Sequence, residues 1–207
     1  MTVSEARNEF LQRKKDISDL DNIPGTFLKW CNYVNRFAYK EMANIFPENF
    51  IQTQNYTLVI GQNAYDLPDD FQDIIPQGTG LYLLNDDGTP TNRRLPPSSY
   101  GSTRPGMYVN LTSIIVTPIP SGVKTYAFRY IPLLPDLAED DDEFVIPTRF
   151  SMHIMDGLDS CYNIWDEDQN AEIFNDERFI RTMEEFVSLI KPDAQTYLLP
   201  DFSQNYY

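Results

Sequence analysis

The spacing of apolar positions changes character twice along the chain. Residues 2–48 read as helical. Ala6, Phe10 and Ile17 form a modest apolar stripe, and Thr2 and Glu5 stand at capping-box spacing ahead of it. The stretch DLDNIPG (19–25) interrupts this pattern. From 26 to 46 the apolar residues Phe27, Trp30, Cys31, Val34, Phe37, Ala38, Met42 and Ile45 recur at i, i+3, i+4 spacing, which predicts an amphipathic helix. Pro47 lies just beyond its end, where a helix commonly stops.

Between 50 and 131 helical periodicity is nearly absent. NYTLVI (55–60), GLYLLN (80–85), MYVNLTSIIVTP (107–118) and VKTYAFRYI (123–131) are short, β-branched and aromatic, and Gly, Pro, Asn and Asp separate them. NDDGT (85–89) and PIPSG (118–122) have turn chemistry. The clearest expected hairpin spans 112–131, with Ile114 and Val116 set against Tyr126, Phe128 and Tyr130. A compact antiparallel sheet, sandwich or small barrel is expected here.

Helical spacing returns from 147 to 191. Pro147 suits a first-turn position. Phe150, Ile154, Leu158, Cys161, Tyr162 and Trp165 then share one face. After DEDQN, Ile173, Ile180, Met183, Val187 and Ile190 form a near-heptad seam that Asp176 interrupts, and Pro192 closes it. Neither helical region can bury its stripe alone. The expected fold is therefore α+β: a helical bundle from 1–49 and 147–191, an inserted antiparallel β domain at 50–146, and a C-terminal arm at 192–207.

Charge narrows the function. The 207 residues carry 31 acids against 16 Lys and Arg, a formal −15, and such a surface repels a nucleic-acid backbone. No apolar run approaches the ~20 residues of a membrane span, so no membrane partner is expected. The N-terminus lacks an apolar signal core and reads as helix. Cys31 and Cys161 fall on apolar helix faces and read as buried free thiols.

Catalytic patterns are lacking. His153 is the one histidine, close to an apolar stripe, with no Ser or Cys nucleophile motif near it. No catalytic residue, metal site or cofactor is assigned. The acidic run Glu139, Asp140, Asp141, Asp142 and Glu143 could suggest calcium, yet it has no glycine for a sharp turn and no suitably placed distal Glu. It reads as a solvated connector, or as a surface that repels DNA or a neighbour. Two weak basic clusters, QRKK (12–15) and NRR (92–94), are either ordinary solvated charge or contacts for a negative surface.

The C-terminal segment carries Tyr197, Leu198, Leu199, Phe202, Tyr206 and Tyr207 without periodicity. Exposed in water these side chains would be sticky. They either fold back on their own domain or, as we read them, dock on another subunit or partner.

Several ordered motifs carry a family resemblance. Tyr65, Leu67, Pro68, Asp70 and Phe71 form a Y-x-L-P-x-D-F segment; Pro118 and Pro120 follow a strand; Tyr126 and Tyr130 space the next one; Asp140 to Asp142 precede Ile146 and Pro147. This series resembles the head–tail adaptors of tailed bacteriophages, particularly the tail-tubular-protein-like adaptors of short-tailed phages. The resemblance implies a structural virion protein rather than an enzyme. It implies a ring of this chain with itself, by analogy of twelve copies, placed at the head–tail junction and assembled in the host cytoplasm. The implied partners are the portal protein and a tail or second ring protein, with double-stranded DNA passing through without specific binding. Residues 139–143 would then be channel or interface acids. The alternative from the residues alone is a β-sandwich module that binds a glycan or peptide, with calcium at the acidic run.

Overall fold

The computed structural model describes residues 1–14, 25–74, 80–99, 102 and 104–191. The chain divides into two compact units, one from residues 1–45 with the chain from 134 onward, the other from residues 46–133. The architecture is α+β, with helices at both ends of the sequence and antiparallel sheets between them.

The helical unit contains α1 (Val3–Arg13), α2 (Thr26–Ile45), α3 (Ser151–Glu167) and α4 (Glu177–Ile190). The expected capping box opens α1: Glu5 N–H donates to Thr2 Oγ1 (3.1 Å), and Thr2 N–H donates to Glu5 Oε2 (2.9 Å). Val3, Ala6 and Phe10 are buried on one face of α1, while Ile17 lies outside the described residues. On α2 the predicted stripe is buried at Phe27, Trp30, Cys31, Val34 and Ala38 and half-buried at Phe37, Met42 and Ile45. Pro147 precedes a short 3-10 turn, Thr148–Phe150, that leads into α3. Asp176 is the N-cap of α4, not an interruption within it, and its carboxylate accepts from Arg178 N–H (2.8 Å). The apolar seam of α4 therefore differs from the expected one. Phe179, Met183, Phe186 and Val187 are buried, whereas Ile180 and Ile190 are half-buried and Ile173 sits in a preceding 3-10 turn. Aromatic rings of three helices meet around Trp30, and Cys31 and Cys161 are buried free thiols.

Among the described residues the β unit contains eight strands: β1 (Gln52–Leu58), β2 (Ala64–Asp66), β3 (Phe71–Ile74), β4 (Leu81–Leu84), β5 (Pro90–Leu95), β6 (Gly106–Val109), β7 (Ser113–Thr117) and β8 (Lys124–Pro132). One sheet runs β1-β8-β4-β5, with β3 also paired to β8; the other runs β2-β7-β6. All described pairs are antiparallel. The NDDGT turn does close a hairpin, β4–β5, with Asn85 N–H donating to Thr89 C=O (2.9 Å).

The hairpin expected over 112–131 does not form. β7 pairs with β2 and β6, and β8 pairs with β1, β3 and β4, so PIPSG carries the chain from one sheet to the other. Ile114, Val116, Phe128 and Tyr130 still meet in one core, as residues of different sheets rather than as cross-strand neighbours in one. The stretch 107–118, one of the β-type segments, is itself a hairpin. Asn110 Oδ1 accepts from Thr112 N–H (3.1 Å) and Ser113 N–H (2.8 Å), which turns the chain tightly between β6 and β7.

Tyrosines organise the β core. Tyr56 Oη donates to Asp66 C=O (2.7 Å), and Tyr130 Oη donates to Asp70 Oδ1 (2.7 Å). Burial, with the Asp66 charge adding to it, pushes the Tyr56 phenol up to about 12. Burial and then the Asp70 hydrogen bond push the Tyr130 phenol well above its ordinary value. Both groups are raised above an unfolded value near ~10. Their contribution is thus complete below pH ~10 and is lost as pH rises through the folded values. The unfolding free energy of the β unit is expected to fall between pH 10 and 12, and less steeply in Tyr130→Phe. Equal slopes for both proteins in denaturant titrations across that range would rule this out.

Candidate functional site

The acidic connector is built into the helical unit. The β domain was expected to extend to residue 146, but Leu137, Phe144 and Ile146 are buried in the helical core. Two asparagines on α2 hold this segment. Asn32 Oδ1 accepts from Leu137 N–H (2.8 Å), and its Nδ2 donates to Leu137 C=O (2.9 Å). Asn35, 2% exposed, accepts from Val145 N–H (2.8 Å). Arg36 forks onto both carboxylate oxygens of Asp136 (2.6 and 2.7 Å). The sequence reading passed over these asparagines. Their signal was two polar residues, three apart, within a strongly apolar helical stretch.

The acids themselves wrap the N-terminus of α1. Asp142 Oδ2 accepts from Ala138 N–H (2.6 Å) and Glu139 N–H (2.9 Å), and these bonds hold its carboxyl below the usual range. The main-chain carbonyls of Asp142 and Asp140 accept from Val3 N–H (3.0 Å) and Ser4 N–H (2.9 Å). These are first-turn amides that lack partners within their own helix. Arg7 pairs with the Asp140 carboxylate (2.9 Å), and Thr2 bridges Glu143. Negative charge is thereby gathered at the positive end of a helix. Glu139, Asp140, Asp141 and Glu143 are exposed, and Asp142 is half-buried. Among the described residues no three His, Cys, Asp or Glu side chains converge as an ion site.

Replacing Asn35 with alanine should strand the Val145 N–H in the core. The expected loss is about 1–3 kcal/mol of helical-unit stability, read by chemical denaturation, with Asn35→Asp losing less. No loss in Asn35→Ala would mean that the connector is held by other contacts.

Other charged groups on α1 and α3 meet neighbours within the helical unit. Arg13 lies by Glu9 (2.8 Å), Asp156 and Asp159 (both 3.7 Å), and Lys14 lies by Asp159 (3.4 Å), so these members of QRKK tie α1 to α3. His153 is half-buried beside the Phe150 and Phe186 rings, 3.7 Å from Asp156. Arg93 and Arg94 are exposed on β5. Tyr197, Leu198, Leu199, Phe202, Tyr206 and Tyr207 lie outside the described residues.

The β unit has a different surface. At one end of its two sheets a cleft of about 240 Å³ is lined by Leu58, Leu95, Val116, Pro118, Lys124 and Tyr126, among others. Ile60, Ile119 and Val123 are exposed in the β1–β2 and β7–β8 connections, which Gly61 N–H joins by a bond to Pro120 C=O (3.2 Å). Leu111, at the tip of the β6–β7 turn, is 99% exposed. Charge is divided just as unevenly. Residues 1–45 and 134–207 hold 11 basic and 24 acidic side chains, a formal −13; residues 46–133 hold 5 and 7, a formal −2. One unit is strongly anionic. The other is almost neutral and presents apolar turns.

The sequence model of a family described as SU10 adaptor protein matches residues 1–199. The chain belongs to that family. It is a phage structural adaptor protein, and the resemblance read from the ordered motifs holds at that level. No curated protein matches the chain. The SU10 adaptor match runs through both compact units, so the acidic connector and the apolar β turns both lie inside the family's span. Among the described residues of this adaptor no helix is long and apolar enough to cross a membrane.

Proposed function

We propose that this SU10 adaptor protein forms a closed ring at the head–tail junction of the virion, between the portal and the tail, and that it leaves the genome free to pass. The division of charge carries this reading. A surface of −13 on the helical unit disfavours capture of polyphosphate, and a near-neutral β unit with exposed Ile60, Leu111, Ile119 and Val123 can bury apolar area against a protein. The exposed acids Glu139, Asp140, Asp141 and Glu143 would face the channel or a subunit interface, while their backbone steadies α1. A cyclic ring needs a head-to-tail contact that closes, and the tail-tubular-like motif order suggests twelve copies. The C-terminal segment, with its six aromatic and leucine side chains, would be the arm that reaches a neighbour or the portal.

Negative-stain images of the purified protein, alone and with its portal, test the ring. Rings are expected in at least one sample, and dispersed monomers in both would sink the proposal. Deleting residues 193–207 is expected to weaken assembly with the portal at least tenfold. Unchanged binding would remove the arm from the mechanism and leave the ring standing.

A further inference from the structure

Among the described residues β1 is an unprotected sheet edge. It ends the order β1-β8-β4-β5 and pairs with β8 alone, over seven residues without a register shift. Outside that ladder, no backbone hydrogen bond between described residues reaches Gln52–Leu58. Its sequence, QTQNYTL, has no charge, proline or glycine, and Gln52–Asn55 and Thr57 are exposed. Such an edge is a template for another strand unless something blunts it.

The other described edges are blunted. β5 carries Pro90, Arg93 and Arg94, and its pairing with β4 shifts register. β3 has a register shift of its own and an exposed Asp73. β2 has three residues, one of them Asp66. β6 is covered at Met107, which bonds to Pro96 C=O (2.9 Å) and accepts from Ser98 N–H (2.8 Å). A fold that guards these edges leaves its longest one open.

We propose that residues 194–199, AQTYLL, of a neighbouring copy add as a strand along the free edge of β1. This rests on reading the C-terminal segment as an arm. The stretch is uncharged, like β1 itself, and it lacks glycine and proline until Pro200 ends it. Thr196, Tyr197, Leu198 and Leu199 suit a pleated strand. Six residues match an edge of seven. Alternation sets Tyr197 and Leu199 on one side, where they would extend the row of Tyr56 and Leu58 on the core face of the sheet. Main-chain bonds supply affinity, and the alternating side chains supply register. Only Pro192 and Asp193 separate the stretch from Lys191, so the receiving β1 must lie within roughly 10 Å of the end of the donor's α4.

Two full-length variants, Asn55→Cys and Thr196→Cys, are mixed under mild oxidation, one of them carrying a mass tag. Burial pushes the Cys31 and Cys161 thiols well above their ordinary value, so they do not compete. The mixed disulfide is expected to exceed either homodimer at least tenfold. A dominant Asn55→Cys homodimer would mean that β1 pairs with β1 of a second copy, and the absence of disulfide would mean that no strand is added; both overturn the proposal. So does an intrachain disulfide in the double variant with no mixed product between the singles. Hydrogen exchange gives a second readout. Outward-facing amides of β1 should exchange about tenfold faster after deletion of 193–207. If exchange at β1 is unchanged while the same deletion weakens portal assembly, the arm is real and sits elsewhere. If neither changes, the arm reading fails as well.

Discussion

Trp30→Ala is expected to destabilise the helical unit by about 3–5 kcal/mol, the range for removing a fully buried large aromatic. Trp30 is 1% exposed on α2. Its ring lies 6.3 Å from Phe10 on α1, 6.3 Å from Phe27, and 6.1 and 5.8 Å from Tyr162 and Trp165 on α3. Alanine would remove apolar area and leave a cavity bordered by rings from three helices, which cannot all collapse into it. Edge-to-face contacts between these rings add to the loss. Guanidinium unfolding followed by helical circular dichroism measures it. A change below ~1 kcal/mol would show that the cluster repacks freely. Trp30→Phe should recover part of the difference.

Gly157→Val is the second large effect, and it tests close packing from the opposite direction. Gly157 is buried in the middle of α3, where glycine costs about 1 kcal/mol relative to alanine. A Cβ there would lie 2.8 Å from Val34 Cγ2 on α2 and 2.9 Å from Met183 Sδ on α4. Met183 can swing away, but Val34 has a stiff χ1 and is itself fully buried. Overpacking of this kind costs about 1–3 kcal/mol, and the β-branched side chain belongs at the upper end. Gly157→Ala should also destabilise despite its better helix propensity. A more stable alanine variant in the same denaturation assay would show that α2 and α4 have room to separate.

Legibility differed between the helices and the sheets for a physical reason. The faces of α1, α2 and α3 were readable because helical neighbours lie three and four residues apart in the chain. The Thr2–Glu5 capping box is as local, and so is the β4–β5 turn at NDDGT. Assigning 112–131 to a hairpin used the same local logic and failed. β7 and β8 follow one another in sequence with suitable alternation, but β7 pairs with β2 and with β6 on its other flank, and β8 takes its partners from β1, β3 and β4, far earlier in the chain. Alternation fixes which side chains face inward; it does not choose the strand that supplies the hydrogen bonds. At α4, Asp176 looked like a flaw in a heptad seam that began at Ile173. The helix starts one residue later, and its aromatic face, Phe179 and Phe186, sets the packing.

By itself the sequence determined the α+β order, the inward faces of α1, α2 and α3, the content of the strand region and the adaptor resemblance. Each depends on side-chain chemistry repeated at short, regular intervals. Tertiary structure alone decided that β7 and β8 part into two sheets and that, among the described residues, β1 is left as an open edge. It also decided that the acidic run closes around the first turn of α1, held by Asn32 and Asn35 from 105 and 110 residues earlier in the chain. Those outcomes depend on which distant segments share space, and on main-chain donors and acceptors that every residue carries alike.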